Sequence, residues 1–197
     1  MCIRDRDVAA IINNAGVNAN GGILSDSGSV SSYEWNFAVN VFGVVRVTRQ
    51  FLPAMKRSGK GGRVINVGSV AGFIAADKGS PYTSTKHALE GLSDAWRREL
   101  AEDKISVSLI QPGFIASKMC KRKVCDDAYL PDFSKAVMHA VESPYPQTRY
   151  PVAGVVVMPA WLAVWFDAII PDRIADAIVN TVARKAGVSA DTAASNL

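Results

Sequence analysis

The chain has 197 residues, of which 49% are hydrophobic, 8% aromatic and 20% charged. This composition excludes wholesale disorder, and a chain of this length buries roughly 70% of its unfolded surface, so it needs no metal or disulfide to fold. The net charge is +4, but outside a short run at 118–123 the basic residues are scattered without interleaved aromatics, which argues against a nucleic-acid partner.

The three cysteines Cys2, Cys120 and Cys125 are too few for a disulfide framework. No second Cys/His pair lies near the last two, so no metal site is predicted, and all three are interpreted as free thiols in a reducing compartment. The first apolar run is too short for a signal peptide, which favours a cytoplasmic location. Residues 1–6 have neither a cap nor a period and are interpreted as a non-native leader before a single domain at 7–197.

Strands and helices alternate along most of the sequence. Three apolar runs, at 8–12, 64–67 and 107–110, predict buried parallel strands. Two periodic segments, at 33–56 and 81–103, predict long helices between them. This alternation is typical of an α/β fold with a parallel sheet and right-handed connections.

Each long helix has apolar positions that are predicted to face the interior. Pro53 is expected to kink or end the first helix, and Pro81 to begin the second. The predicted buried positions are Phe37, Val41, Val44, Val45, Val47 and Leu52 on the first helix, and Ala88, Leu89, Leu92, Ala95, Trp96 and Leu100 on the second.

The last third of the sequence is less regular. Segment 133–142 predicts a short helix, 148–152 an edge strand because it contains a proline, and 174–184 an amphipathic helix. The uncharged run 152–166 is shorter than the roughly 18 residues of a membrane span. It is expected to cover a sheet end or a substrate mouth, with an interfacial membrane contact as the alternative.

A tyrosine and a lysine at the start of the second long helix carry the strongest chemical signal. Tyr82 and Lys86 are one turn apart, so the phenol and the ammonium can approach each other. A nearby cation is expected to lower the tyrosine pKa from about 10 toward neutrality. Ser69 follows a predicted strand, at the edge where open α/β sheets bind ligands, and its hydroxyl could hold a substrate carbonyl.

Five motifs occur in one order at compact spacings. This pattern resembles the short-chain dehydrogenase/reductase family of NAD(P)-dependent oxidoreductases, over about residues 7–184. The resemblance implies a Rossmann-type doubly wound parallel sheet. The motifs are Asn-Asn-Ala-Gly at 13–16, Asn40, Val-Gly-Ser at 67–69, the Tyr82/Lys86 pair, and Pro112-Gly113.

The resemblance implies a role for each matching residue. Tyr82 would be the general acid/base and Ser69 would orient the substrate carbonyl. Lys86 would bind the nicotinamide ribose, and Asn40 would interrupt its helix to hold a water linked to Lys86. The cofactor, NAD or NADP, would also contact Asn14, Ala15 and Gly16 beside the adenosine and Pro112, Gly113, Ile115 and Ser117 around the nicotinamide.

The sequence departs from the family pattern in two places. The Gly-rich phosphate loop and the strands around it are not found, and the glycines at 59–62 precede a strand instead of following one. The residue that selects NAD or NADP is missing with them, so the sheet is expected to be incomplete. Segment 118–170 is expected to form the substrate side, with a shorter lid than relatives carry.

The end of the sequence resembles more loosely the branch that acts on retinoids and hydroxysteroids. The shared pattern is Thr-Arg-Tyr at 148–150 and Pro-Asp-Arg at 171–173. This implies a lipophilic alcohol or ketone as substrate, and relatives imply a homodimer or tetramer that pairs the two long helices. The alternative is a catalytically incompetent fragment that binds dinucleotide poorly.

Overall fold

The computed structural model describes most of the chain up to residue 159. The predictions for Ser117, for most of the 152–166 run and for most of the 174–184 helix lie outside the described residues, although positions 174, 176–178 and 181 are helical. The described residues are 7–116, 127–155, 158–159, 171, 174, 176–178 and 181.

Four strands form a parallel sheet in sequential order, β1-β2-β3-β4. All three predicted strands are confirmed, although the first is not fully buried because Ile12 is 48% exposed. The predicted edge strand lies beside β3 at one end of the described sheet. The strands are β1 (Ala10–Asn13), β2 (Gly62–Val67), β3 (Ile105–Pro112) and β4 (Arg149–Val152).

The first predicted helix is a continuous helical segment with a π-helical stretch inside it. It consists of α1 (Val30–Phe37), the π-helical stretch Ala38–Gly43 and α2 (Val44–Ser58). Pro53 lies inside α2 and does not end it. The helix ends where Gly59 adopts a left-handed conformation with φ 64°, which a glycine adopts at little cost.

The inward face of α1 and α2 is more polar than predicted. Asn36, Asn40, Val44 and Thr48 are buried at four-residue spacing, whereas Val47 is 42% exposed. The prediction that Val47 is buried was therefore wrong. The buried polar groups find hydrogen-bond partners in the loop and strand that the helix covers, so they can occupy the inward stripe.

The second long helix, α3 (Ser80–Glu99), begins as predicted with Pro81 in its first turn and ends four residues before Asp103. Leu89 and Leu100 are buried, and Trp96 packs against the same cluster as Leu100. The other predicted positions, Ala88, Leu92 and Ala95, are half-buried. A short 3-10 turn, Val70–Gly72, connects β2 toward α3.

Two hydrophobic cores cover the two faces of the sheet. Helices α2 and α3 pack on one face, and α4 (Leu130–Glu142) packs on the other, so the sheet is doubly wound. The buried residues of the first core are Ile11, Met55, Val64, Leu100, Ile105 and Val107, and those of the second are Ile65, Ile110, Ala140, Tyr150 and Val152.

A hairpin that was not predicted follows β4. Its strands β5 (Gly154–Val155) and β6 (Met158–Pro159) pair antiparallel. The uncharged run therefore begins as a short β-ribbon beside the sheet. In the described part of the chain, no helix combines the length and apolar character that crossing a membrane requires.

Candidate active site

The parallel strands bring the predicted site residues to one edge of the sheet. Asn14, Ala15 and Gly16 directly follow β1, Ser69 comes two residues after β2, and Pro112 is the last residue of β3. The carboxyl ends of parallel strands meet at this edge, which is where open α/β sheets bind ligands.

Ser69 is fixed by the turn that follows it. It precedes the 3-10 turn Val70–Gly72, and its Oγ accepts a hydrogen bond from the backbone N–H of Ala71 at 3.1 Å. Ser69 also hydrogen-bonds the phenol of Tyr82. The hydroxyl of a strand-end loop is thus joined to the hydroxyl at the start of α3.

Lys86 lies beneath the ring of Tyr82. Its Nζ is 5.5 Å from the ring centroid, a cation–π distance. Lys86 is only 5% exposed, and its ammonium donates to the carbonyl of Val67 at 2.9 Å. An ammonium has three donors, so Lys86 retains capacity for the hydroxyl groups of a ligand.

The pKa of Tyr82 moves opposite to the expectation from sequence. Burial raises the pKa of the phenol above its usual 10.0, and the hydrogen bond from Ser69 offsets part of that rise. Burial also lowers the pKa of Lys86 to about 8, so its amine is neutral at the pH where such a phenol ionises, although it carries its charge at neutral pH. In this arrangement the phenol is protonated at neutral pH.

Asn40 joins the π-helical stretch to the loop after β1. Its Oδ1 accepts from Val17 N at 2.8 Å, and its Nδ2 donates to Val17 O at 2.9 Å and to Thr85 Oγ1 at 3.0 Å. Both Nδ2 protons therefore have protein acceptors. If Asn40 holds the expected water, an atom other than Nδ2 has to do so.

Asn36 is a site residue that the sequence reasoning missed. One turn before Asn40, it pairs with Ala19 in the same manner, through Nδ2 to Ala19 O at 2.8 Å and Ala19 N to Oδ1 at 3.4 Å. Asn36 and Asn40 thus hold the loop 17–19 as a neighbouring strand would. The four-residue spacing of two asparagines, one of them in a family motif, was the available signal.

Replacing Asn36 with alanine is expected to lower the free energy of unfolding by about 2 kcal/mol, because the backbone groups of Ala19 would lose their partners. Chemical denaturation of Asn36→Ala measures this loss. Ser31→Ala, at an exposed position of the same helix, is the control and should change stability by less than about 0.5 kcal/mol. Equal effects of the two substitutions would contradict the role of Asn36.

A buried chain of polar side chains crosses beneath the site. Asn13 donates to Thr48 at 3.0 Å and to Asn66 at 2.8 Å, and Asn66 donates to Ser93 at 2.9 Å. This chain connects α2, β1, β2 and α3 through side chains alone. It was not predicted, because only Asn13 belongs to a motif and its side-chain partners lie 35 and 53 positions further along the chain.

The segment after β3 is held against the β5 strand. Gly113 N donates to Val152 O at 2.8 Å, and a Cβ at Gly113 would lie 2.2 Å from the carbonyl oxygen of Gly154, so only glycine fits. Ile115 N donates to Gly113 O at 3.1 Å.

The glycines at 59–62 lie at the other edge of the sheet. They lie just before β2 or, for Gly62, at its first residue, and Gly61, with φ 76°, packs against the carbonyl of Lys104 before β3. They are therefore remote from Ser69 and Tyr82, as expected from the sequence.

The chain is similar to known oxidoreductases over most of its length. The family model described as short chain dehydrogenase matches residues 4–127. The uncharacterized oxidoreductase YbbO of Escherichia coli (strain K12) is 31% identical, over 91% of this chain and 70% of YbbO. The 17-beta-hydroxysteroid dehydrogenase type 6 of Bos taurus is 34% identical, over 60% of this chain and 36% of that protein.

A solved short chain dehydrogenase from Burkholderia cenocepacia J2315, in complex with NADP, superposes with a TM-score of 0.71 at 25% identity. The match covers 90% of this chain and 70% of that one. The chain spans only 32–36% of the length of several other curated relatives that it matches. The fold, the family model and YbbO agree, and the chain belongs to the short-chain dehydrogenase family.

Proposed function

We propose that the protein is an NAD(P)-dependent oxidoreductase that interconverts a secondary alcohol and a ketone or aldehyde. The observation that carries the proposal is the joining of three groups at one sheet edge: Ser69 is hydrogen-bonded to Tyr82, and Lys86 lies 5.5 Å beneath the same ring. A proton donor, a second hydroxyl and a buried cation together suit transfer of a proton to a carbonyl oxygen.

Tyr82 is the general acid/base of this reaction. Because its pKa is raised by burial, the phenol holds its proton at neutral pH and can donate it to the oxygen of a bound carbonyl. The nicotinamide, when bound, supplies the hydride to the carbonyl carbon or takes it back in oxidation. Ser69 holds the carbonyl oxygen near the phenol, and Lys86 stabilises the phenolate that proton donation leaves behind.

The residues present fit the ribose end of a dinucleotide. Lys86 is a buried ammonium with one protein acceptor in the described part of the chain, and its remaining donors suit ribose hydroxyls. Asn14, Ala15 and Gly16 would lie on the adenosine side. Pro112, Gly113, Ile115 and Ser117 would flank the nicotinamide. The neighbour that holds NADP supports NADP, and NAD stays the alternative.

The proposed substrate is lipophilic. The similarity to a hydroxysteroid dehydrogenase supports this choice, as does the uncharged run 152–166, whose first residues contact Gly113. A steroid or retinoid alcohol is therefore the first substrate to test, and 3-hydroxybutyrate is the polar comparison because a hydroxybutyrate dehydrogenase also matches.

The oligomeric state and the location in the cell are also part of this proposal. Phe42 is 52% exposed on the π-helical stretch, with the Arg46 guanidinium 5.9 Å from its ring, which supports a homodimer or tetramer through this helix. A cytoplasmic location, with an interfacial membrane contact through 152–166 as the alternative, stays a prediction. No nucleic-acid partner is proposed.

The test is a titration of the 197-residue chain with NADH and NADPH, followed by turnover assays. We expect quenching of tryptophan fluorescence with a micromolar dissociation constant for at least one dinucleotide, and oxidation of that dinucleotide when a lipophilic ketone is added. Dinucleotide binding without turnover of any ketone or alcohol would overturn the proposal.

The second candidate is a chain that keeps the catalytic residues and binds dinucleotide poorly. It is favoured by the position of the glycines at 59–62, which cannot present a helix N-terminus to a pyrophosphate at the site edge. Dissociation constants in the millimolar range for both dinucleotides would support this candidate over the first.

A further inference from the structure

Glu90 is a carboxylate on α3 whose two oxygens bind different parts of the sheet. Its Oε1 accepts from Gln111 Nε2 at 2.7 Å, and its Oε2 accepts from Arg149 Nε at 3.0 Å. The side chain of Glu90 is only 17% exposed. None of the five family motifs contains this residue, and nothing in the mechanism above uses it.

Glu90 lies on the same helix as Tyr82 and Lys86, further from the start of that helix. It lies one turn after Lys86 and two turns after Tyr82, on the same helix face. Gly72 ends the 3-10 turn that Ser69 begins, and a Cβ at Gly72 would lie 2.9 Å from Glu90 Oε1 and 3.1 Å from the Lys86 carbonyl. The backbone of the Ser69 turn therefore rests directly on Glu90.

Gln111 connects Glu90 to the third segment of the site. It is 2% exposed and immediately precedes Pro112 and Gly113. A hydrogen bond between a neutral donor and a charged acceptor is stronger than one between neutral groups. The side chain of Glu90, which projects from the helix of Tyr82, thus contacts both the Ser69 turn and the end of β3.

Arg149 balances the charge of Glu90 from β4. Its guanidinium also reaches Asp94 at 2.9 Å, and Asp94 in turn pairs with Arg97 at 3.3 Å. Glu90 and Asp94 are therefore neighbours on one helix that share one cation. Of the two, Glu90 alone contacts Gln111 and Gly72 in the described part of the chain.

We propose that Glu90 is a positioning residue of the active site, which fixes the Ser69 turn and the Pro112–Gly113 segment relative to Tyr82. It acts through Gly72 and Gln111 and touches neither substrate nor dinucleotide. The expected loss of kcat rests on the proposed function. The contacts of Glu90 with Gly72 and Gln111 do not depend on which substrate the protein binds.

The kinetic test compares Glu90→Gln with Asp94→Asn. A glutamine at 90 has a single accepting oxygen, whereas Gln111 and Arg149 donate to different oxygens of Glu90, so one of these donors would face an NH2 group. We expect Glu90→Gln to lower kcat about 10- to 100-fold, the effect of a misplacement near 1 Å, with the KM for the dinucleotide within about 3-fold. Asp94→Asn also loses an ion pair with Arg149 and should keep kcat within about 3-fold.

A readout without turnover is the titration of Tyr82 followed by NMR of [13Cζ]-tyrosine, assigned with Tyr82→Phe. If Glu90 holds the Ser69 turn, Glu90→Gln weakens the hydrogen bond from Ser69, and the pKa of Tyr82 rises further. Asp94→Asn should leave that pKa unchanged. A wild-type chain without turnover would count against the proposed function, and this titration would still decide the role of Glu90.

Gln111→Met provides the second variant if Glu90→Gln does not fold, since it removes the donor and keeps Glu90 paired with Arg149. The same loss of kcat and the same rise in the pKa of Tyr82 are expected. Equal kcat and equal Tyr82 titration in Glu90→Gln and Asp94→Asn, or wild-type behaviour of Glu90→Gln, would overturn the proposal and leave Glu90 as an ordinary ion-pair partner.

Discussion

Replacing Tyr82 with phenylalanine is expected to lower kcat by about 10³-fold or more while dinucleotide affinity stays within a few-fold of wild type. A positioned proton donor contributes about 10²- to 10⁴-fold to the rate, and the ring that covers Lys86 is retained. The measurement is steady-state oxidation of NADH or NADPH with a lipophilic ketone, together with a fluorescence titration of the dinucleotide.

Tyr145→Phe is the matched control, since Tyr145 is 88% exposed and lies in the loop between α4 and β4. It should keep wild-type kcat. Full activity in Tyr82→Phe would show that the proton comes from another group, and the assignment of the acid/base would be wrong. A loss of dinucleotide affinity equal to the loss of kcat would instead indicate a binding role for the phenol.

The sequence predicted best those structural features that depend on residues close together along the chain. Continuous apolar runs predicted β1, β2 and β3 because most side chains of a buried parallel strand are apolar, although Asn13, Asn66 and Gln111 are buried on these strands as well. The spacing of Tyr82 and Lys86 was likewise sufficient, because one helical turn places them on the same face. Their proximity is a local property of α3.

The polar interior could not be predicted in the same way. Asn36 and Thr48 have the polar character of solvated helix positions, but in the fold Asn36 pairs with Ala19 and Thr48 accepts from Asn13. The contacts of Glu90 with Arg149 span 59 positions along the chain. Such pairings depend on how the helices lie on the sheet, which hydrophobic periodicity does not specify.

The direction of the Tyr82 pKa shift is a second example. The sequence showed a cation near a phenol, which lowers a phenol pKa when both are solvated. In the fold, burial disfavours the charged form of each group, so it raises the pKa of Tyr82 and lowers the pKa of Lys86. The charge of Lys86 is therefore an unfavourable term in folding, and this can be measured.

The free energy of unfolding is expected to rise by about 2 kcal/mol between pH 8 and pH 10. The pKa of Lys86 is about 8 in the folded chain against 10.5 when unperturbed, so in this window the folded chain loses a proton that the unfolded chain retains. Below about pH 7 both states carry the proton and no slope arises from Lys86. The raised pKa of Tyr82 acts in the opposite direction only above about pH 10, where an unfolded tyrosine ionises.

Lys86→Met isolates this contribution, because it removes the titrating group from the same buried position. Urea denaturation at several pH values should show the rise between pH 8 and pH 10 in the wild type and its loss in Lys86→Met. Lys135→Met is the control, since that side chain is 78% exposed and its replacement should leave the slope unchanged. If Lys86→Met kept the wild-type slope, another group would be responsible for it. If instead the slope vanishes and dinucleotide binding weakens with it, one buried ammonium both binds the cofactor and destabilises the fold at neutral pH.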